Sequence, residues 1–383
     1  MNNLENKKIA IVGGGPGGLT LARLLQMSGA DVTVYERDAN QNARQQGATL
    51  DLHQESGLRA LEQAGLTEAF KANYRPGAEK LRIMNKTAGM VLDEHLKPRQ
   101  ENLRPEIDRG PLQQILLDSL RAGTVIWGSH FETLTPQNGS WKLTFKSGAS
   151  AMADLVIAAD GANSKLRPYI TPVKPYYYGI TVLEGVIYAS ATASPKIHRL
   201  LKGGKIFALG DEKSLVVSSK GDGSLVFYTG CKTPEYWSRE SGIDFSDKAQ
   251  VLNWFKTEYA GWDMVWQELF ENAAMPFVVR PQYCMPPGQT WQTLPNITML
   301  GDAAHLMPPF AGEGVNMAML DALELSNCLT GDKFPEVYSA IAAFEKQMCK
   351  RASEAANESL YAAEELHSAN AIAFIMAVLG NDF

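Results

Sequence analysis

The sequence lacks the features that would place the protein in an oxidising compartment or in a membrane. Only four cysteines occur among its 383 residues, and no two of them form a Cys-x-x-Cys pair. Such sparse cysteines are typical of reduced cytosolic thiols rather than of disulfides or metal ligands. No apolar run is long enough to span a membrane, and residues 1–8 contain no signal-peptide core. We therefore expect a cytoplasmic protein. We also expect it to be a monomer.

Excess basic charge, internal repeats and metal-ligand spacing are also missing. The net charge of −6 disfavours a nucleic-acid-binding surface, and the six histidines show no ligand spacing, so we predict no metal site. The composition, 45% apolar and 20% charged, is that of an ordinary globular protein, and the length indicates at least two domains.

The clearest motif is a glycine turn between two predicted strands. Residues 9–12 form a short apolar run typical of a buried parallel strand, and Gly13, Gly15 and Gly18 follow it directly as Gly-x-Gly-x-x-Gly. Pro16 belongs to the same turn, a helix follows, and Glu36 ends the second strand. This order predicts a site for the pyrophosphate of a dinucleotide at the helix N-terminus, with Glu36 accepting hydrogen bonds from the adenosine ribose.

Two later segments return to the same kind of structure. In residues 153–167 a predicted strand ends at Asp160, with Arg167 beyond it, and in residues 297–316 a strand ends at Asp302 before a Pro/Gly loop and a helix. Between them, predicted strands at 182–188, 205–209, 214–219 and 224–231 indicate an inserted antiparallel sheet. A carboxylate at residue 302 could hold the ribitol hydroxyls of a flavin, which favours FAD over NAD.

The predicted fold class is α/β: an FAD-binding Rossmann-like domain with an inserted antiparallel-sheet substrate domain and a long C-terminal helix. We assign residues 1–78, 99–175 and 280–334 to the FAD-binding domain. Residues 79–98 and 176–279 form the substrate-binding domain, and residues 335–383 form the C-terminal helix.

Three motifs in this order resemble the group A flavin monooxygenases of the para-hydroxybenzoate hydroxylase type. They are Gly13-x-Gly15-x-x-Gly18, Asp160-Gly161-x-x-Ser164-x-x-Arg167 and Gly301-Asp302-Ala-Ala-His305-x-x-Pro308-Pro309. Residues 34–38, 47–53, 105–109 and 301–312 further resemble the tetracycline-inactivating members. The resemblance implies FAD as cofactor, NADPH as a transient co-substrate, and O2. It also implies hydroxylation of a small molecule through a flavin C4a-hydroperoxide. The substrate class that it implies first is the tetracycline-type antibiotics.

The resemblance also implies roles for individual residues. Glu36 and Arg37 contact the adenosine, Arg109 reaches the pyrophosphate, Asp302 holds the ribitol, and Asp51 lies near the flavin. The other implied cofactor residues are Arg44, Asp160, Pro309, Gly312, Gly314, Val315 and Asn316. Pro309 and Gly312 also border the substrate, and no side chain is assigned a catalytic role. Asp51 and Asp160 could instead be structural residues of a strand and a turn.

The substrate positions depart from the tetracycline-inactivating pattern. Glu184 stands where that group has Gln, Lys205 where it has Arg, and Val226 where it has His, while Val216 and Ser218 replace Phe and Asn. Lysine keeps a positive charge but loses the planar fork of arginine, and a glutamate would repel an enolate. Alternatively, Glu184 and Lys205 form a solvated cross-strand pair.

Other functions remain open at this point. One is the hydroxylation of another aromatic or heterocyclic molecule, which the altered substrate positions favour. A second is an NAD(P)-dependent dehydrogenase without flavin, which would be colourless. A third is a flavin-binding protein without ligand-stimulated NADPH oxidation.

Overall fold

The computed structural model describes residues 4–43, 49–96 and 104–381. The chain forms two compact units, each assembled from three segments. Unit 1 comprises Met1–Tyr74, Arg109–Tyr176 and Cys284–Ser359, and unit 2 comprises Arg75–Asp108, Tyr177–Tyr283 and Leu360–Phe383. In the described part of the chain, no helix has the length and apolar character needed to cross a membrane.

Unit 1 is built on a parallel sheet of five strands. Their order across the sheet is Ile297–Met299, Leu155–Ala158, Lys8–Val12, Asp31–Tyr35 and Val125–Ile126. Residues 9–12 and 155–158 are apolar and buried, as strands of a parallel sheet covered on both faces require. Strands from the beginning, middle and end of the sequence therefore lie in one sheet.

The first helix of unit 1, Pro16–Met27, packs closely on the helix Gly314–Thr330. Gly17 permits this approach, because a Cβ there would lie 2.8 Å from Leu300 Cδ1 and 2.9 Å from the carbonyl oxygen of Ala318. The other helices and 3-10 turns of unit 1 are Gly57–Gln63, Thr67–Lys71, Arg109–Asp118, Arg167–Tyr169, Asp302–His305, Pro309–Ala311 and the first part of Val337–Leu366. Its remaining strands are Thr49–Asp51, Phe131–Gln137, Ser140–Phe145 and Ser150–Ala153.

Unit 2 is built on a mixed sheet of seven strands. Their order is Val278–Cys284, Tyr176–Ile187, Leu225–Lys232, Lys213–Ser219, Lys205–Gly210, Leu81–Asn85 and Met90–Asp93. The central strands pair antiparallel, whereas Lys205–Gly210 and Leu81–Asn85 run parallel. The antiparallel pair of Leu81–Asn85 and Met90–Asp93 forms one edge of this sheet.

One face of the unit 2 sheet packs against helices through aromatic side chains. Phe227, from the sheet, meets Phe270 edge-on with ring centroids 5.2 Å apart, and Phe255 stacks on Phe270 at 4.0 Å. Such pairs contribute about 0.5–1.5 kcal/mol each beyond the burial of their area. The helices and 3-10 turns of unit 2 are Glu94–Leu96, Ser190–Ala193, Pro195–Leu201, Trp237–Glu240, Lys248–Glu258, Met264–Trp266, Gln267–Asn272 and Ala371–Asn381, and its remaining strand is Glu106–Asp108.

The architecture confirms the predicted α/β class with an antiparallel insertion and a long C-terminal helix. The long helix is Val337–Leu366, and a second helix, Ala371–Asn381, follows it and packs against the strand Lys205–Gly210. The C-terminal region therefore holds two helices where the sequence predicts one.

Candidate active site

The glycine turn leaves the backbone open where the first helix begins. Gly13 has a φ of +113°, and a Cβ there would lie 2.1 Å from the carbonyl oxygen of Ala159. A Cβ on Gly18 would lie 2.2 Å from the carbonyl oxygen of Gly13, whereas a Cβ on Gly15 would meet nothing within 4 Å. Because the helix starts at Pro16, its free N–H groups lie beside this open space.

Glu36 connects the glycine turn to the end of the second strand through hydrogen bonds. Its carboxylate is buried, and it accepts hydrogen bonds from the backbone N–H groups of Gly14 at 2.6 Å and Asp38 at 2.9 Å. The sequence predicts a ribose contact for Glu36 and gives no sign of these backbone bonds. Arg37 is exposed, and Arg44 lies outside the described residues.

Arg167 connects the second motif to the third. This side chain is 6% exposed, and it donates to the carbonyl oxygens of Ala303 at 2.7 Å and Asp302 at 2.9 Å. Asp160 accepts from the backbone N–H of Lys165 at 2.8 Å, and its other oxygen is buried without a hydrogen-bond partner among the described residues. Burial raises the pKa of Asp160. Sequence reasoning missed the link made by Arg167. The signal that could have indicated it is the presence of an arginine within the second motif.

Asp302 combines solvent access with a desolvated environment. It is the first residue of a short helix, and its side chain is exposed. Desolvation nevertheless raises its pKa, against the opposing positive charges of His305, Arg109 and Arg167. The Asp302 carboxylate is therefore accessible to a ligand although the neighbouring protein reduces its hydration. Arg109, which begins the helix Arg109–Asp118, is also exposed.

A buried network holds the turn before Asp302. Asp321 is completely buried and accepts from the backbone N–H of Gly301 at 2.9 Å and from Arg351 at 2.7 Å, and its Oδ2 lies 2.5 Å from His305 Nε2. Burial opposes a charge on His305, but Asp321 raises the pKa of His305 overall. His305 therefore belongs to a structural network. Sequence reasoning missed Asp321, because no motif marks it within its helix.

A second cluster joins Asp51 to the start of the helix Gly314–Thr330. Gly312 has a φ of +72°, and a Cβ there would lie 3.3 Å from Asp51 Oδ2. The buried Asn316 donates to the carbonyl oxygen of Asp51 and accepts from the backbone N–H of His53, both at 2.9 Å. Three predicted residues thus come together. Sequence reasoning assigns no role to His53.

The remaining predicted residues of this segment border open backbone. Pro309 is exposed and Val315 is half-buried, and a Cβ on Gly314 would meet nothing within 4 Å. Because a 17-residue helix begins here, the partial positive charge of its N-terminus favours a negatively charged group.

The five predicted substrate positions share one face of the unit 2 sheet. The strand register aligns Lys205, Ser218 and Val226 in one row and Val216 and Glu184 in the neighbouring row. Paired residues project to the same side of a sheet, and alternate residues of a strand do too. This face is opposite the one that carries the aromatic core.

Both charged residues of this face already have partners within unit 2. Glu184 is 3% exposed, and its Oε2 accepts from Arg280 Nε at 2.5 Å. Its Oε1 is buried without a hydrogen-bond partner among the described residues. Lys205 forms an ion pair with the buried Glu106. The alternative in which Glu184 and Lys205 pair with each other is therefore wrong.

Comparison with known proteins identifies the family. The sequence profile of the FAD binding domain matches residues 6–175 and 292–332, more than half of the chain. The monooxygenase asqM of Emericella nidulans is 30% identical over 370 residues, covering 83% of both chains. The chain belongs to the group A flavin monooxygenases. It is a flavin-dependent monooxygenase with FAD as its cofactor, as the resemblance predicts, and the flavin-free dehydrogenase alternative is wrong.

Other relatives carry names that specify different substrates. An FAD-dependent urate hydroxylase of Mycolicibacterium vanbaalenii is 28% identical over 359 residues, covering 91% of this chain and 85% of the relative. The crystal structure of tetracycline destructase Tet(51) has a TM-score of 0.71 at 17% identity, covering 98% of this chain and 95% of that one. This last likeness establishes the fold alone.

Proposed function

We propose that this monooxygenase uses NAD(P)H and O2 to hydroxylate an electron-rich polycyclic or aromatic molecule, and that tetracycline-type antibiotics are the substrates it inactivates. The observation that carries the proposal lies in unit 1. There the glycine turn and the strand before Asp302 belong to one parallel sheet, and Arg167 joins the second and third motifs. One elongated cofactor can therefore contact all three motifs.

The residues of unit 1 fit FAD. Open backbone at a helix start suits the pyrophosphate, and an accessible, desolvated carboxylate suits the ribitol hydroxyls. We assign Glu36 and Arg37 to the adenosine. We assign Asp302 to the ribitol, with Asp160 supporting it through Arg167. The residues assigned to the pyrophosphate are Gly13, Gly15, Pro16, Gly18 and Arg109, and those assigned to the flavin ring are Asp51, Pro309, Gly312, Gly314, Val315 and Asn316.

The chain's own task is to hold and polarise the flavin. When bound, FAD would supply the redox chemistry, namely acceptance of a hydride from the nicotinamide and activation of O2 for transfer of one oxygen atom. The N-terminus of the helix Gly314–Thr330 supplies N–H groups and a positive dipole end where reduction adds negative charge. Since the sequence has a single Gly-x-Gly-x-x-Gly turn, we propose that NAD(P)H binds transiently, without a nucleotide fold of its own.

The substrate surface in this proposal is the sheet face of unit 2. Val216 and Val226 contribute apolar side chains to this face, and Ser218 contributes a small polar one. Glu184 and Lys205 are the charged residues among the five. Pockets that are mostly apolar with a few placed polar groups suit flat ring systems that carry oxygen substituents. The resemblance of residues 47–53 and 301–312 to the tetracycline-inactivating enzymes makes that class the first substrate to test.

A second candidate is hydroxylation of another aromatic or heterocyclic molecule. One observation favours it: Lys205 is paired with Glu106 and does not offer a free cation to an anionic substrate. The buried Oε1 of Glu184 is instead available to an N–H or O–H donor, and satisfying a buried acceptor is favourable. A neutral heterocycle with an N–H group has such a donor.

An NAD(P)H-oxidation screen separates the two candidates. Holoenzyme is incubated with a tetracycline, a simple phenol or a purine, with catalase present, and products are analysed by mass spectrometry. We expect tetracycline to stimulate oxidation and to gain one oxygen atom. Oxygen gain with the phenol or the purine, but with no tetracycline, would overturn the antibiotic assignment and support the second candidate.

A further inference from the structure

His53 is a buried titratable residue that the proposed function does not use. It is 1% exposed, and its ring nitrogens lie 3.2 Å from Asp51, 3.4 Å from Glu313 and 3.9 Å from Glu55. The side chains of Asp51 and Glu313 are 26% and 23% exposed, whereas that of Glu55 is 76% exposed. The two shielded carboxylates are therefore its principal partners.

The ring and these carboxylates depend on each other electrostatically. Burial disfavours a charge on His53, but the carboxylates of Asp51 and Glu313 raise the pKa of His53 to about 9. The ring is therefore a cation at neutral pH. Without it, two partly shielded negative charges would face each other across the space the ring fills.

The same cluster fixes the backbone that begins the helix Gly314–Thr330. Glu313 directly precedes this helix, and Asn316, inside its first turn, binds the main chain of both Asp51 and His53. A Cβ on Gly57 would lie 2.6 Å from Asn316 Oδ1, so the neighbouring helix closes tightly over this side chain. The imidazolium is thus the ionic link between a strand end and the segment 312–316.

We propose that His53 is a positioning residue for FAD, whose protonated ring ties Asp51 to Glu313 and so fixes the backbone of residues 312–316 against the flavin ring. The inference rests on the flavin placement proposed above. Loss of the positive charge leaves the two carboxylates in mutual repulsion beside Gly312, and FAD binds less tightly. The charge on His53 is lost as the pH rises. FAD affinity is therefore highest at pH values below about 9, and it falls as the pH rises through about 9.

The test measures FAD release from diluted holoenzyme by FAD fluorescence, between about pH 7 and about pH 10. We expect the dissociation constant of the wild type to rise about tenfold across this range, a size typical of coupling between two sites. His53→Gln should bind FAD more weakly and lack this step. Glu313→Gln should move the step lower by about 1 pH unit or more, because one stabilising carboxylate is gone.

His198→Gln, which changes an exposed histidine, is the matched control and should keep the wild-type step. NMR titration of the His53 ring in the holoenzyme reports its protonation independently. The inference can therefore be tested even if His53→Gln does not fold. A step that persists in His53→Gln, or an unshifted step in Glu313→Gln, overturns the inference. Failure of the flavin placement itself would appear differently, as full FAD retention in Asp302→Ala.

Discussion

Replacing Arg167 with lysine keeps the positive charge between the second and third motifs and removes the guanidinium fork. Arg167 donates to the carbonyl oxygens of Ala303 at 2.7 Å, Asp302 at 2.9 Å and Ala162 at 3.1 Å. A lysine ammonium has three N–H donors on one nitrogen at the end of a flexible stem, without the planar fork that reaches separate carbonyl groups, so it can replace about one of these three bonds. Two carbonyl groups in a buried environment then lose their partner.

The expected loss of stability is large. A hydrogen bond to a charged group contributes about 1.5–3 kcal/mol, so losing two predicts a decrease of about 3–6 kcal/mol in the free energy of unfolding. The free energy of unfolding of a typical domain is only about 5–15 kcal/mol. Because two of the carbonyls belong to the helix that Asp302 begins, we also expect Arg167→Lys to retain less FAD.

Urea unfolding at one fixed FAD concentration measures this effect, since bound ligand itself stabilises the folded state. The matched control is Arg59→Lys, because Arg59 is an exposed arginine of unit 1, and such surface substitutions change stability by about 0.5 kcal/mol or less. If Arg167→Lys is no less stable than this control and retains its flavin, the bridging role of Arg167 is refuted.

Two further predictions concern unit 2. His367 Nε2 lies 3.0 Å from Ser214 Oγ, and burial lowers the pKa of His367 to about 4. Because the unfolded chain binds this proton near pH 6.5, the free energy of unfolding should fall from about pH 6.5 to about pH 4, by up to about 3 kcal/mol; an equally steep fall in His367→Gln would contradict this. Glu184→Gln removes the carboxylate that pairs with Arg280 and so frees that guanidinium for an anionic substrate, and the KM for tetracycline should fall several-fold while kcat stays unchanged. Equal KM values in the two enzymes would place Glu184 away from the substrate.

The nucleotide-binding half of unit 1 was predictable because each of its signals is local. The apolar runs at residues 9–12 and 155–158 are typical of buried parallel strands, and Gly13 occupies a backbone conformation that only glycine adopts easily. The alternation of unit 2 strands has a period of two, so residues of one strand could be assigned to a common face from the sequence.

The charge state of the site was not predictable, because it depends on residues far apart in the chain. Lys205 meets Glu106 across 99 positions, and Arg167 meets Ala303 across 136. No periodicity connects such pairs, and a paired lysine and a free lysine look the same in a sequence. His53 illustrates the same limit, since its second carboxylate, that of Glu313, comes from the other end of the chain.

The assignment on which the cofactor site depends is that Asp302 and the glycine turn hold the same FAD. Its most direct measurement is the flavin-to-protein ratio of purified Asp302→Ala, with Asp332→Ala, which changes an exposed loop aspartate, as control. Losing a carboxylate hydrogen bond of about 1.5–3 kcal/mol should weaken FAD binding at least about tenfold. We predict that Asp302→Ala purifies nearly colourless beside a yellow control, and a fully yellow Asp302→Ala would contradict the assignment.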